Sequence, residues 1–207
     1  MNLRVLALCA AVVAAFAYTA PAHADTIVDT SSAWTDKVTS GWQMTGQTFE
    51  TPNATDVTLA SWTFWMAGNS TSGKEVRFSI YEWGGSSTTG SELYGTDLSW
   101  ASTTSSYAVT GINLSLDDSK DYVAVIDTNY TGFAPSSVHY VVGDQYASGS
   151  YVGRSNGTWG TLSLSVDHRF TASFTGAAVP EPGTFALLGL SLFGVALHRR
   201  RGMAKAS

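Results

Sequence analysis

Glu75-Val-Arg-Phe-Ser-Ile-Tyr-Glu-Trp83 alternates with a period of two. Val76, Phe78 and Ile80 fall on one side of an extended chain, and Arg77, Ser79, Tyr81 and Trp83 on the other. A helix would scatter those apolar side chains around its circumference, so the stretch reads as a strand with one buried face. Val57–Met66 reads as a second strand, largely apolar towards its end. On it, Trp62 and Trp65 point to opposite faces, so at most one of the two faces solvent. Asp121–Asp127 sets Tyr122, Ala124 and Ile126 against Val123 and Val125. A segment apolar on both faces suits the middle of a sheet.

Further strands are expected near Gln43–Phe49, Leu93–Trp100, Ala108–Leu114, Val138–Val142, Ser150–Val152 and Arg169–Thr175. Turns fall between them at Gly68–Gly73, at Gly84-Gly85 through Gly90, at Leu116–Lys120 and at Asn156-Gly157. Eight or nine short strands with polar loops predict an all-β chain, a single antiparallel β-sandwich of jelly-roll type over residues 25–179. No fixed-period repeat interrupts that reading.

The ends of the chain differ from its middle. Met1–Arg4 is a short cationic start, Val5–Phe16 an apolar run, and Ala22-His23-Ala24 a small-x-small cleavage site, so residues 1–24 read as a signal peptide cut by signal peptidase after Ala24. At the other end, Pro180-Glu181-Pro182 leads into an uncharged stretch, Gly183–Leu197, which stops at Arg199, Arg200 and Arg201. Fifteen residues make a helix of about 22 Å, short of a hydrocarbon core of roughly 30 Å, which suits a transmembrane segment meant for removal. The arginines would stay cytoplasmic. This order of rigid handle, apolar helix and basic tail over residues 180–207 resembles the PEP-CTERM sorting signal. The resemblance implies an exosortase-type transpeptidase of a Gram-negative bacterium as the processing partner.

Part of the body carries a resemblance too. Gly46-Gln-Thr-Phe-Glu-Thr-Pro52, Leu59-Ala-Ser-Trp-Thr-Phe64, Tyr81-Glu-Trp-Gly-Gly85 and Thr89-Gly-Ser-Glu-Leu-Tyr94 are similar to β-sandwich domains found upstream of such signals. That likeness implies fold and location, and no particular activity.

Charge narrows the partners. Between Asp25 and Glu181, sixteen acidic residues face six basic ones, a net charge of −10. Binding nucleic acid relies on Lys and Arg neutralising phosphate, so a nucleic-acid partner is set aside. The one cysteine, Cys9, lies in the signal peptide. The exported body therefore has neither a disulfide nor a thiol nucleophile.

Motifs for chemistry are sparse. His139 and His168 fit no zinc spacing, there is no Gly-x-Ser-x-Gly elbow, and Asp167-His168 beside a serine is a cheap coincidence in a serine-rich chain. Glu50, Glu75, Glu82 and Glu92 are candidates for a glycosidase pair, which depends on carboxyl separation in space. Asp117-Asp118 with Asp121 lacks the calcium-loop frame and reads as a solvated acidic turn. No metal site, cofactor or catalytic residue is assigned. Seven tryptophans are dense for one small domain. Most should be core, and Trp83, Trp100 and Trp159 are the candidates for stacking on sugar rings.

These features predict a non-enzymatic exported protein, held briefly in the inner membrane and then sorted to the cell envelope or extracellular polysaccharide matrix, where it is structural or adhesive. A carbohydrate-binding module for exopolysaccharide and a matrix glycosidase are the alternatives.

Overall fold

Strands account for nearly all regular structure in the computed structural model, which describes residues 25–38, 42–68, 74–131, 138–163 and 166–176, with backbone only at 33–38 and 162–163. The signal peptide with Ala22 and Ala24, and the tail with Pro180, Glu181, Pro182, the expected helix and Arg199–Arg201, lie outside the described residues. In chain order the strands are β1 (Thr26–Asp29), β2 (Trp34–Val38), β3 (Met44–Phe49), β4 (Thr58–Met66), β5 (Glu75–Trp83), β6 (Thr88–Ser99) and β7 (Ser105–Ser115). They continue with β8 (Tyr122–Asp127), β9 (His139–Val142), β10 (Tyr151–Ser155), β11 (Thr158–Ser163), β12 (Val166–His168) and β13 (Phe170–Thr175). One 3-10 turn, Ser31–Ala33, separates β1 from β2.

One sheet runs β1-β13-β4-β7 and a second runs β11-β10-β3-β8-β5-β6, with every pairing antiparallel. Set aside β2 and β9–β12, and number the remaining eight strands afresh along the chain. The first then pairs with the eighth, the second with the seventh, the third with the sixth and the fourth with the fifth. That is the pairing of one long hairpin rolled up, the jelly roll. The segment between β8 and β13 is an insertion: β10 and β11 widen the second sheet beyond β3, and β12-β9-β2 form a small third sheet.

The alternation of β5 shows in Val76, Phe78 and Ile80, which are sealed from solvent, while on the other face Arg77 and Tyr81 are half-buried and Ser79 is buried with its hydroxyl bonded to Glu92. β8 occupies the middle of its sheet, between β3 and β5, as its two apolar faces require. Between the two large sheets the core is an aromatic seam. Trp62 of β4 stacks on Phe170 of β13 at 4.6 Å and lies 5.0 Å from Phe49 of β3 and 6.3 Å from Phe78 of β5. Burying each such ring is worth about 1.5–3 kcal/mol, and a good ring pair adds about 0.5–1.5 kcal/mol.

Two expectations about β-structure need correction. The turn after β5 is only Gly84–Ser87, and Thr88-Thr89-Gly90 already belong to β6. Gly90 takes φ +71° there, next to a register shift between Ile80 and Glu82, so glycine serves a bulge inside a strand and not the turn itself. The strands β1, β2, β11 and β12 also exceed the expected set; β1, β2 and β12 have at most five residues each in which to display an alternation.

Candidate functional site

The outward face of the six-stranded sheet is read off its register. Met44, Asp127 and Arg77 share one row across β3, β8 and β5, followed by Gly46, Val125 and Ser79, and then by Thr48, Val123 and Tyr81. Phe49–Tyr122–Glu82 is the last row of the ladder, and carrying its register one residue further puts Glu50, Asp121 and Trp83 side by side. The Trp83 amide donates to the Asp121 carbonyl at 2.8 Å, which fixes the two side by side. Neighbouring strands lie about 4.8 Å apart, so both carboxylates and the indole start within about 10 Å of one another.

These three residues line a cleft of about 270 Å³ together with Thr48, Phe49, Gly85 and the loop Ala147–Ser150. Ligand pockets run from roughly 300 Å³ upward, so this one suits a small ring. The loop is pinned at several points. The Ser150 amide donates to the Thr48 hydroxyl at 2.7 Å, and the Thr48 amide donates to the Ser150 carbonyl at 2.9 Å. The Glu50 amide donates to the Tyr146 hydroxyl, which donates back to the Glu50 carbonyl, both at 3.2 Å. A Cβ on Gly149 would collide with the Thr48 carbonyl and come within 2.7 Å of the Tyr146 ring, so only glycine lets the loop lie this close.

Beneath the loop sits Asp167, buried to 1% exposure. It accepts from the backbone amides of Gln145 and Tyr146 at 2.8 and 2.9 Å, and from the Gln47 side chain at 3.0 Å. Burial raises its carboxyl above the usual range, opposed by those hydrogen bonds. Asp167 is thus a positioning residue for the cleft wall. Its neighbour His168 points the other way, against Tyr151 at 4.5 Å, and neither of its ring nitrogens has a hydrogen-bond partner. The adjacency of Asp167 and His168 therefore builds no catalytic pair, because consecutive strand residues face apart.

The candidate tryptophans separate. Trp83 and Trp159 meet edge to face at 5.5 Å and 85°, above an apolar floor of Val123, Val125 and Val152. They stand four strand spacings apart, roughly 19 Å across a flat sheet, so the sheet curls towards this face to bring them into contact. Trp100 is a correction: it is 7% exposed, belongs to the main core and donates its indole N–H to the Ala67 carbonyl at 2.9 Å. It offers no face to a sugar. Trp62 is fully buried, whereas Trp65 is half-buried beneath the Arg169 guanidinium at 4.3 Å.

Several other carboxylates are already occupied. Arg77 donates to Glu92 from Nε at 3.1 Å and from Nη2 at 2.5 Å, and to Asp97 at 2.6 Å. Ser79 and Tyr81 add their hydroxyls to Glu92 at 2.7 and 3.2 Å. The Arg77 hydrogen bonds hold the Glu92 carboxyl below the usual range, and burial raises the Tyr81 phenol. Glu82 is paired with Lys120 at 2.6 Å. Asp117 accepts from the Ser119 amide and hydroxyl at 3.0 and 2.6 Å, the hydrogen bonds of a solvated turn. Among the described residues no group of three or more acidic, His or Cys side chains is placed to hold a metal. The pairing of Glu50 with Asp121 escaped sequence reasoning, since 71 positions separate them and only strand register joins them.

Comparison with known proteins adds two findings. The body is similar in fold to the cysteine protease and lectin-like domains of a surface-layer-associated protein of Clostridium difficile, at 13% identity and a TM-score of 0.51, covering 74% of this chain and 36% of that one. A clostridial cysteine protease after propeptide cleavage gives 13% identity and a TM-score of 0.48, covering 73% of this chain and 38% of that one. This chain thus spans little more than a third of the structures it resembles. No curated protein matches it. Residues 178–201 match the PEP-CTERM protein-sorting motif. That motif implies processing by an exosortase and indicates an exported, envelope-sorted protein, so the chain is a β-sandwich protein carrying a PEP-CTERM sorting signal.

Proposed function

We propose that the exported body is a non-enzymatic adhesive module of the cell envelope or extracellular polysaccharide matrix, and that it holds carbohydrate in the cleft at Trp83. The observation that carries this is the row Glu50–Asp121–Trp83 rimmed by Ser148 and Ser150. An indole face takes the C–H side of a pyranose, and carboxylates and hydroxyls take its hydroxyl groups. The lectin-like domain named for the similar clostridial structure supports the same reading. Its protease activity does not transfer, because the body here lacks a cysteine. Sorting would proceed by removal of residues 1–24 and then by exosortase cleavage near Pro180–Pro182; a mature C-terminus retaining Arg201 in mass spectrometry would instead indicate a plain membrane anchor.

The test is a glycan array on the exported protein, followed by tryptophan-fluorescence titration of the hits. Binding that disappears in Trp83→Ala, with the fold retained by circular dichroism, is expected. No binding to any neutral, amino or acidic glycan would remove the proposal. A matrix glycosidase is the second reading, favoured by Glu50 and Asp121 lining one cleft just past the ends of the adjacent strands β3 and β8, since glycoside hydrolysis uses two carboxyl groups roughly 5–10 Å apart. Reducing ends released by the wild type and not by Glu50→Gln or Asp121→Asn would establish it.

A further inference from the structure

The charge of the cleft narrows what kind of sugar it accepts. Among its lining residues are two carboxylates, Glu50 and Asp121, and no Lys or Arg. The nearest cation along the chain, Lys120, is paired with Glu82 at 2.6 Å. A uronic acid entering the cleft would bring a third negative charge against a body, residues 25–179, already at −9. A neutral sugar would desolvate both carboxylates and return hydrogen bonds from uncharged hydroxyls, with no opposite charge to offset theirs. A protonated amine on the ring supplies charge-assisted N–H···O bonds to both, and it also brings a cation beside the Trp83 indole. The other walls do little to reward an acetyl methyl group: Gly85 and Gly149 have no side chain, Ser148 and Ser150 are polar and the Phe49 ring is turned into the core, leaving Ala147 as the apolar lining besides the indole.

We infer that the cleft is selective for glycans bearing free amino groups, that is, de-N-acetylated hexosamine polymers, over N-acetylated, neutral and uronate glycans. This inference rests on the carbohydrate reading of the Trp83 cleft and adds the ligand class to it.

Calorimetric titration of the exported protein near pH 6, where the amine is protonated, tests it with four oligosaccharides of equal length: chitosan, chitin, cellulose and polygalacturonate fragments. The chitosan oligomer is expected to bind at least about tenfold tighter than the other three, a difference within reach of one charge-assisted contact. Glu50→Gln and Asp121→Asn should each erode that preference, while Glu75→Gln, at the opposite end of β5, should leave it unchanged. Raising the pH until the amine is neutral should weaken chitosan binding alone, which keeps the test valid even if a carboxylate variant misfolds. Equal affinity for chitin or cellulose fragments would overturn the amine selectivity and leave the carbohydrate reading intact. Tighter binding of polygalacturonate would do the same. Equal losses in Glu75→Gln and Glu50→Gln would reduce the effect to general attraction by an acidic body, and would also overturn the inference. Absence of binding by all four would count against both proposals.

Discussion

His168 is wholly buried, its ring edge-on to Tyr151, with neither nitrogen hydrogen-bonded. Burial lowers its pKa from 6.5 to about 3. The unfolded chain therefore takes up this proton near pH 6.5, whereas the folded domain refuses it until about pH 3. Stability is fully present above pH 6.5 and falls as the pH drops through that window, by at most about 1.4 kcal/mol per pH unit. Asp167 and Asp127, raised by burial, act in the opposite sense because the folded form gains their protons first. Glu92 and Asp29, lowered by hydrogen bonds from Arg77 and Ser31 respectively, lose their contributions only in more acidic solution, below the ordinary carboxylate range. Urea unfolding at about pH 7 and about pH 5 should show wild type losing on the order of 2 kcal/mol, and His168→Phe losing clearly less. Identical pH slopes for the two would refute the role assigned to His168. Sequence spacing already excluded a zinc role for this histidine. Its isolation was not legible, because it depends on Tyr151 arriving from β10.

At the scale of elements, the strands with clean alternation were readable and the partners they choose were not. β5 falls on the residues where its pattern placed it, and β8 sits in the middle of its sheet for the reason its composition gave. The Asn156-Gly157 turn is also as expected, with φ of +51° and +85°, both left-handed as a tight two-residue hairpin requires. The strand it opens, β11, was not expected, although it places Trp159 directly across from Arg154 on the same sheet face. Register is the missing information: residues 50, 83 and 121 become neighbours only because Phe49, Tyr122 and Glu82 align. The loop that completes the cleft is equally invisible, since its demand for Gly149 comes from β3 lying beneath it. Gly149→Ala is expected to push the loop off Thr48, costing about 1–3 kcal/mol. It should also weaken glycan binding more than Gly85→Ser, whose position has open space around it but a φ of +85°. Unchanged stability and affinity in Gly149→Ala would mean the loop does not shape the cleft.

For the whole molecule, the rolled hairpin creates a problem that the aromatic seam solves. Each pairing of first with eighth or second with seventh strand joins residues far apart in sequence, so much chain entropy is lost before those contacts form. No disulfide is available to restrain the unfolded chain, the one cysteine being Cys9. Cohesion of the two sheets therefore falls to packing. Trp62 is central to it, fully buried and in ring contact with β13 on its own sheet and with β3 and β5 on the other. The adhesive reading depends on this, because the cleft row lies at the ends of β3, β8 and β5, and those strands hold their curl only while the opposite sheet is seated. Trp62→Ala should cost about 3–5 kcal/mol. That is a large share of the roughly 5–15 kcal/mol available to a domain of this size. Denaturant midpoints measure the cost directly, and glycan affinity of the folded fraction measures its reach. A loss below about 1 kcal/mol would place the cohesion of the sheets elsewhere. Full loss of stability with normal affinity in the surviving fold would separate the seam from the cleft.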